Sequence, residues 1–113
     1  MQFEFIFLYV NIKNKLEIIM TLNDKINELK ENLSESLVLL KELFDKKTDI
    51  EMKRQISEVI ETHIAYIVFL KELELDLTNK NKNFTKELLI QQFQNIKHSC
   101  KLVHELYKEE IDK

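Results

Sequence analysis

No glycine and no proline occur in 113 residues, and that absence constrains the fold more than any motif in the chain. Ordinary usage would supply about eight glycines and about six prolines. Every turn must therefore be made without the residue that tolerates the left-handed backbone and without the one whose ring fixes φ. Primed two-residue hairpins, glycine-rich phosphate loops and nucleophile elbows all draw on those residues, so this chain lacks the means to build them. Long helices joined by short polar connections remain. Ala65 is the only alanine and Arg54 the only arginine, while lysine, asparagine and isoleucine abound, a bias expected of an AT-rich bacterial genome, phage or plasmid.

An apolar fraction of 44% over this length supports one hydrophobic core and no more. Seventeen basic against twenty acidic side chains leave a net charge of −3. That balance lacks the positive field that drives binding to a phosphate backbone, so a nucleic-acid partner is not expected. Cys100 is the single cysteine, which excludes an intramolecular disulfide and fits a reducing compartment. The longest apolar runs, Phe5 to Val10 and Ile64 to Leu70, fall far short of the roughly 18 residues that span a bilayer. No basic residue precedes the first run, as a secretion signal would require. The expected location is the cytoplasm.

From Thr21 onward apolar residues recur at alternating steps of three and four. Ile26, Leu29, Leu33, Leu40 and Leu43 predict a first helix over about 22–45, with Ser36 interrupting the stripe and Thr21 as its cap. Asp45 to Thr48 reads as a connection, and Thr48 with Glu51 as a capping box opening a second helix over about 49–77. That helix carries Met52, Ile56, Val59, His63, Tyr66, Leu70, Leu73 and Leu77 at heptad spacing. A second stripe of Ile60, Ile64, Ile67, Val68 and Leu75 runs beside it, which predicts a central helix with two neighbours. Polar residues Thr78 to Asn83 end it, and Asn83 or Thr85 caps a third helix over about 84–111 with Leu89, Phe93, Ile96, Cys100, Val103 and Tyr107 on one face.

These elements predict an all-α domain over residues 21–113, an antiparallel up-down-up bundle of three long helices with coiled-coil-like packing. Residues 1–20 follow another pattern. Phe3, Phe5, Phe7 and Tyr9 alternate, yet Ile6, Leu8 and Val10 fill the opposite side, so the segment reads as an apolar arm or a short fourth helix. Met20 is an alternative start of the natural product.

Little in the chain resembles a chemical site. His63 falls on the seam of the second helix and reads as a core histidine bonded to a neighbour. His98 and His104 are six residues apart, about 120° from a common helical face, and no Glu-x-x-His pair occurs, so neither a metal nor a cofactor is expected. Cys100 shares the seam with Ile96 and Val103, a poor position for a nucleophile. Lys86, Lys97 and Lys101 are interrupted by Glu87 and Glu105. The run His98-Ser99-Cys100-Lys101 resembles, over four residues, the exposed His-x-x-Lys of histidine phosphotransfer bundles. Those bundles place a glycine after the lysine, where this chain has Leu102, and that departure removes the close approach to the imidazole on which transfer depends.

The resulting expectation is a small non-enzymatic protein that binds another macromolecule through its helical faces, leaning to an inhibitor, immunity or adaptor role. Val38, Leu39, Leu88, Leu102 and Leu106 are apolar positions beyond the three seams and are the candidate partner surface, for a second protein or for a homodimer. Glu72, Glu74 and Asp76 form an acidic patch suited to a basic partner. The alternative is a membrane-surface factor docking through Phe3, Phe5, Phe7 and Tyr9, with Lys13 and Lys15 beside anionic headgroups. A phosphotransfer protein using His98 is the third reading.

Overall fold

The computed structural model describes the backbone over residues 2–79 and 85–111 and the side chains over 21–77 and 85–111. The described residues form three helices and no strand: α1 (Gln2–Lys46), α2 (Ile50–Asn79) and α3 (Lys86–Ile111). Together they make a three-helix bundle.

α1 does not begin at Thr21. It is continuous from Gln2, so no break sets residues 2–20 apart as an arm or a separate helix. With no glycine or proline near Thr21, a threonine inside a helix costs only a few tenths of a kcal/mol, too little to stop one. The aromatic side chains Phe3, Phe5, Phe7 and Tyr9 lie outside the described residues, as do Asn83 and the cap expected there, whereas Thr78 and Asn79, expected in the connection, continue α2 because neither residue type is enough to stop a helix.

The next boundary also differs by one residue from the expectation. The Glu51 amide donates to Asp49 Oδ1 at 3.1 Å, and the Lys53 amide donates to the Asp49 carbonyl at 3.0 Å. Asp49, not Thr48, is therefore the N-cap of α2. Glu51 is drawn into a pair with the Arg54 guanidinium instead of reaching back for a capping box, and that pairing holds its carboxyl below the usual carboxylate range. At α3, Thr85 caps as expected, its Oγ1 accepting from the Leu88 amide at 3.1 Å and its carbonyl from Leu89 at 3.1 Å.

The heptad stripes become the core. Ile26, Leu29 and Leu33 of α1 meet Leu70 and Leu73 of α2 and Ile96 and Cys100 of α3 in one cluster. Leu40 and Leu43 meet Ile56 and Val103 in a second. Burying each such leucine or isoleucine contributes about 1.5–3 kcal/mol. Cross-helix polar pairs follow the same order: Lys30 Nζ lies 2.8 Å from a Glu74 carboxylate oxygen, the Tyr107 hydroxyl donates to Glu42 at 2.6 Å, and Lys47 pairs with Glu110.

The central helix is α1, not α2. α1 packs closely on both neighbours, whereas α2 and α3 approach each other little. The reason lies in the flanks of its stripe. Leu37 and Phe44 widen it on one side and Leu39 on the other, and all three pack against the second cluster. Most of the second stripe of α2 faces outward instead: Ile64 is 51% exposed, Val68 49% and Leu75 61%, while Ile60 and Ile67 stay half-buried against the clusters.

Candidate partner-binding grooves

Because α2 and α3 both lean on α1 and hardly on each other, a furrow opens between them over the second cluster. Leu40 of α1 forms its floor. Met52, Gln55, Ile56 and Val59 line it from α2, and Ser99, Leu102, Val103 and Leu106 line it from α3. The cavity holds about 260 Å³ and is walled mostly by carbon, with Gln55 and Ser99 as the polar side chains. Leu102 is 49% exposed at its rim. A groove of this shape suits the apolar stripe of a helix better than a polar metabolite.

A second, shallower groove of about 530 Å³ runs along α1 and α3, lined by Glu35, Val38, Leu39, His104, Tyr107 and Lys108. The Tyr107 hydroxyl donates to Glu42, and this bond to an acceptor carboxylate raises the phenol's pKa. His104 Nδ1 is bonded to the Cys100 carbonyl at 2.8 Å, which fixes its ring against its own helix.

The candidate residues read from the sequence are thus divided among surfaces. Leu102 and Leu106 share the α2–α3 groove, Val38 and Leu39 share the α1–α3 groove, and Leu88, half-buried in the first turns of α3, lines neither. Leu39 and Leu106 are partly covered by the second cluster. Glu72 is exposed and Asp76 half-buried, while Glu74 is taken up by Lys30. Met52, Gln55, Val59 and Ser99 were missed as surface residues. Heptad spacing assigns the first and third to the core, against which both do pack half-buried, and the separation of α2 from α3 leaves their outer sides on the groove.

Ser36 and His63 are both buried at 0% exposure, and Ser36 Oγ and His63 Nε2 have no hydrogen-bond partner. His63 Nδ1 is bonded to the Val59 carbonyl at 3.0 Å. Burial lowers the imidazole's pKa, with the Val59 bond pulling the other way. Cys100 is also buried, and desolvation pushes its thiol up, opposed by the Ser36 hydroxyl beside it. That shift leaves the sulfur protonated and inert. His98 is exposed on α3. No group of three or more histidine, cysteine or acidic side chains suited to a metal occurs among the described residues. Nor, among them, is any helix long and apolar enough to cross a membrane.

No protein-family model, curated protein or solved structure matches the chain.

Proposed function

We propose that this chain is a non-enzymatic, cytoplasmic binding protein that holds a helix of a partner protein in the groove between α2 and α3. The observation that carries this reading is the groove itself: an open, carbon-walled cavity over the core, rimmed by a half-exposed leucine. Contiguous apolar surface of this kind is where a soluble protein takes a partner, and an amphipathic helix is a common occupant of such a groove. Within that class the proposal leans to an inhibitor, immunity or adaptor role.

The bundle presenting the groove is taken as antiparallel, up-down-up and coiled-coil-like. The Lys30–Glu74 pair supports opposite directions for α1 and α2, and the Glu42–Tyr107 and Lys47–Glu110 pairs support a common direction for α1 and α3. Such an arrangement holds both walls of the groove on rigid helices, which limits the ordering cost on binding.

The test is affinity capture from the native host lysate with the full chain and with Leu102→Glu in parallel. A stoichiometric partner recovered by the first and lost by the second, at equal helicity, supports the groove. Recovery of the same partner by Leu102→Glu refutes it, because a carboxylate placed at that rim would have to be desolvated against carbon on binding.

A further inference from the structure

We propose that the outward stripe of α2 joins two copies of this chain, with the two α2 helices antiparallel and Ile64 of each packed against Val68 of the other.

The stripe is Ser57, Glu61, Ile64, Val68, Lys71 and Leu75, all exposed. Their steps of four, three, four, three and four are those of an a/d seam, repeated on the side of α2 turned away from the core. At 100° per residue the seam lies about 150° around the helix from the core stripe. Ile64, Val68 and Leu75 are each about half exposed or more, so three large apolar side chains stand in water on one narrow line. Half-buried Ile60 and Ile67 border them. A seam of this kind with no helix of its own chain upon it calls for an occupant from outside.

The charges on the seam choose that occupant and its direction. In an antiparallel pair, each layer joins an a residue of one helix to a d residue of the other. Centring the pair between Ala65 and Ile67 sets Ile64 against Val68 in two equivalent layers. The next layer outward on each side sets Glu61 against Lys71, and the next sets Ser57 against Leu75. Both charged layers are complementary, since the two-fold makes the Glu61–Lys71 pair occur twice. A parallel pair would set Glu61 against Glu61 and Lys71 against Lys71, and like charges in facing positions repel. Neither Glu61 nor Lys71 has an ion-pair partner among the described contacts within the chain, so both are at liberty to pair across the two-fold. Ala65, the chain's only alanine, borders the two-fold, where a small side chain lets two helices approach closely. The α2–α3 groove lies on another side of α2 and stays open in such a dimer.

Sedimentation velocity on the full chain at neutral pH and low salt tests the proposal. A dimer is expected, and Val68→Glu is expected to be monomeric with unchanged far-UV circular dichroism. Glu61→Lys and Lys71→Glu each put like charges in both outer layers and are expected to weaken association roughly tenfold, an effect that shrinks with added salt. The double variant Glu61→Lys/Lys71→Glu restores the dimer, because it exchanges the two charges and keeps them opposite. Where Val68→Glu disturbs folding, the exposed Glu61 and Lys71 series carries the test. A wild-type chain that is monomeric at all concentrations overturns the proposal, and so does a dimer that survives Val68→Glu. A double variant no stronger than the single ones overturns the antiparallel register.

Discussion

His63 is an imidazole held in the middle of the bundle with one ring nitrogen unsatisfied, and replacing it with leucine should make the protein more stable. The ring is 0% exposed and Nε2 has no partner, a situation that costs about 1–3 kcal/mol. The bond it would lose, from Nδ1 to the Val59 carbonyl, leaves nothing stranded, because a helical carbonyl four residues back also accepts from the backbone. Leucine has similar volume and occupies the corresponding seam position at Leu70 and elsewhere on the same stripe. His63→Leu should therefore gain about 1–3 kcal/mol, or about 4 °C in Tm for each kcal/mol in a domain of this size.

A second readout isolates the titration from the packing. Burial lowers the folded-state pKa of His63 below the ordinary 6.5. The unfolded chain therefore takes up the proton first, and stability falls as pH drops through 6.5 toward the folded value. If the ring stays neutral in the fold throughout, moving from about pH 7.5 to about pH 5.5 removes up to about 1.4 kcal/mol from His63 alone. Among the described residues, burial and the Val59 carbonyl are the causes of its shift. Urea denaturation followed by circular dichroism at both pH values gives the comparison. Wild type should lose more stability on acidification than His63→Leu, by up to that amount. A destabilised leucine variant, or an equal acid response in the two proteins, would refute the account of His63 as an uncompensated buried base.

Other consequences can be checked with the same denaturation assay. Asp49→Ala removes the acceptor of the Glu51 amide and should cost about 1 kcal/mol, whereas Thr48→Ala should change little. Leu33→Ala empties a fully buried site in the first cluster and should cost about 2–5 kcal/mol. Liposome flotation of the full chain against one beginning at Met20 examines the membrane-surface alternative; equal flotation of the two removes residues 1–19 as a lipid anchor.

Much of the core was legible because burial on a long helix is periodic. Each buried apolar side chain, from Ile26 through Leu73 to Val103, falls on a seam that spacing alone defines. What spacing could not decide was which helix lies beside which stripe. The row Ile60, Ile64, Ile67, Val68 and Leu75 is as periodic as any core row, yet no helix of this chain covers most of it. Leu37, Leu39 and Phe44 look like scattered additions on α1 and are instead the widening that lets it hold two partners. Both outcomes depend on contacts distant in sequence. The groove was half legible for the same reason: Leu102 and Leu106 stood out, while Met52 and Val59 read as core alone, and the separation of α2 from α3 leaves their outer sides on the groove. The α2 boundary was missed by one residue because Thr48 and Asp49 both suit an N-cap, and only backbone geometry chooses between them.

The polar residues inside the bundle bear on how these surfaces come to exist. Ser36 lies between Leu33 and Leu40, and Cys100 between Ile96 and Val103, so both stand at the border of the two apolar clusters, with the Ser36 hydroxyl beside the thiol. His63 holds the corresponding step on α2, between Ile56 and Leu70. In a repeat of near-identical leucine layers, a buried polar layer adds to the short connection from Lys46 to Ile50 and to the Lys30–Glu74 pair in choosing one register over the next. That choice has a visible consequence on the outside. In the register observed, Met52, Ile56 and Val59 stand opposite Leu102 and Leu106, and so form the groove. If the His63 layer contributes to that alignment, His63→Leu should yield a firmer bundle with a less uniquely aligned groove.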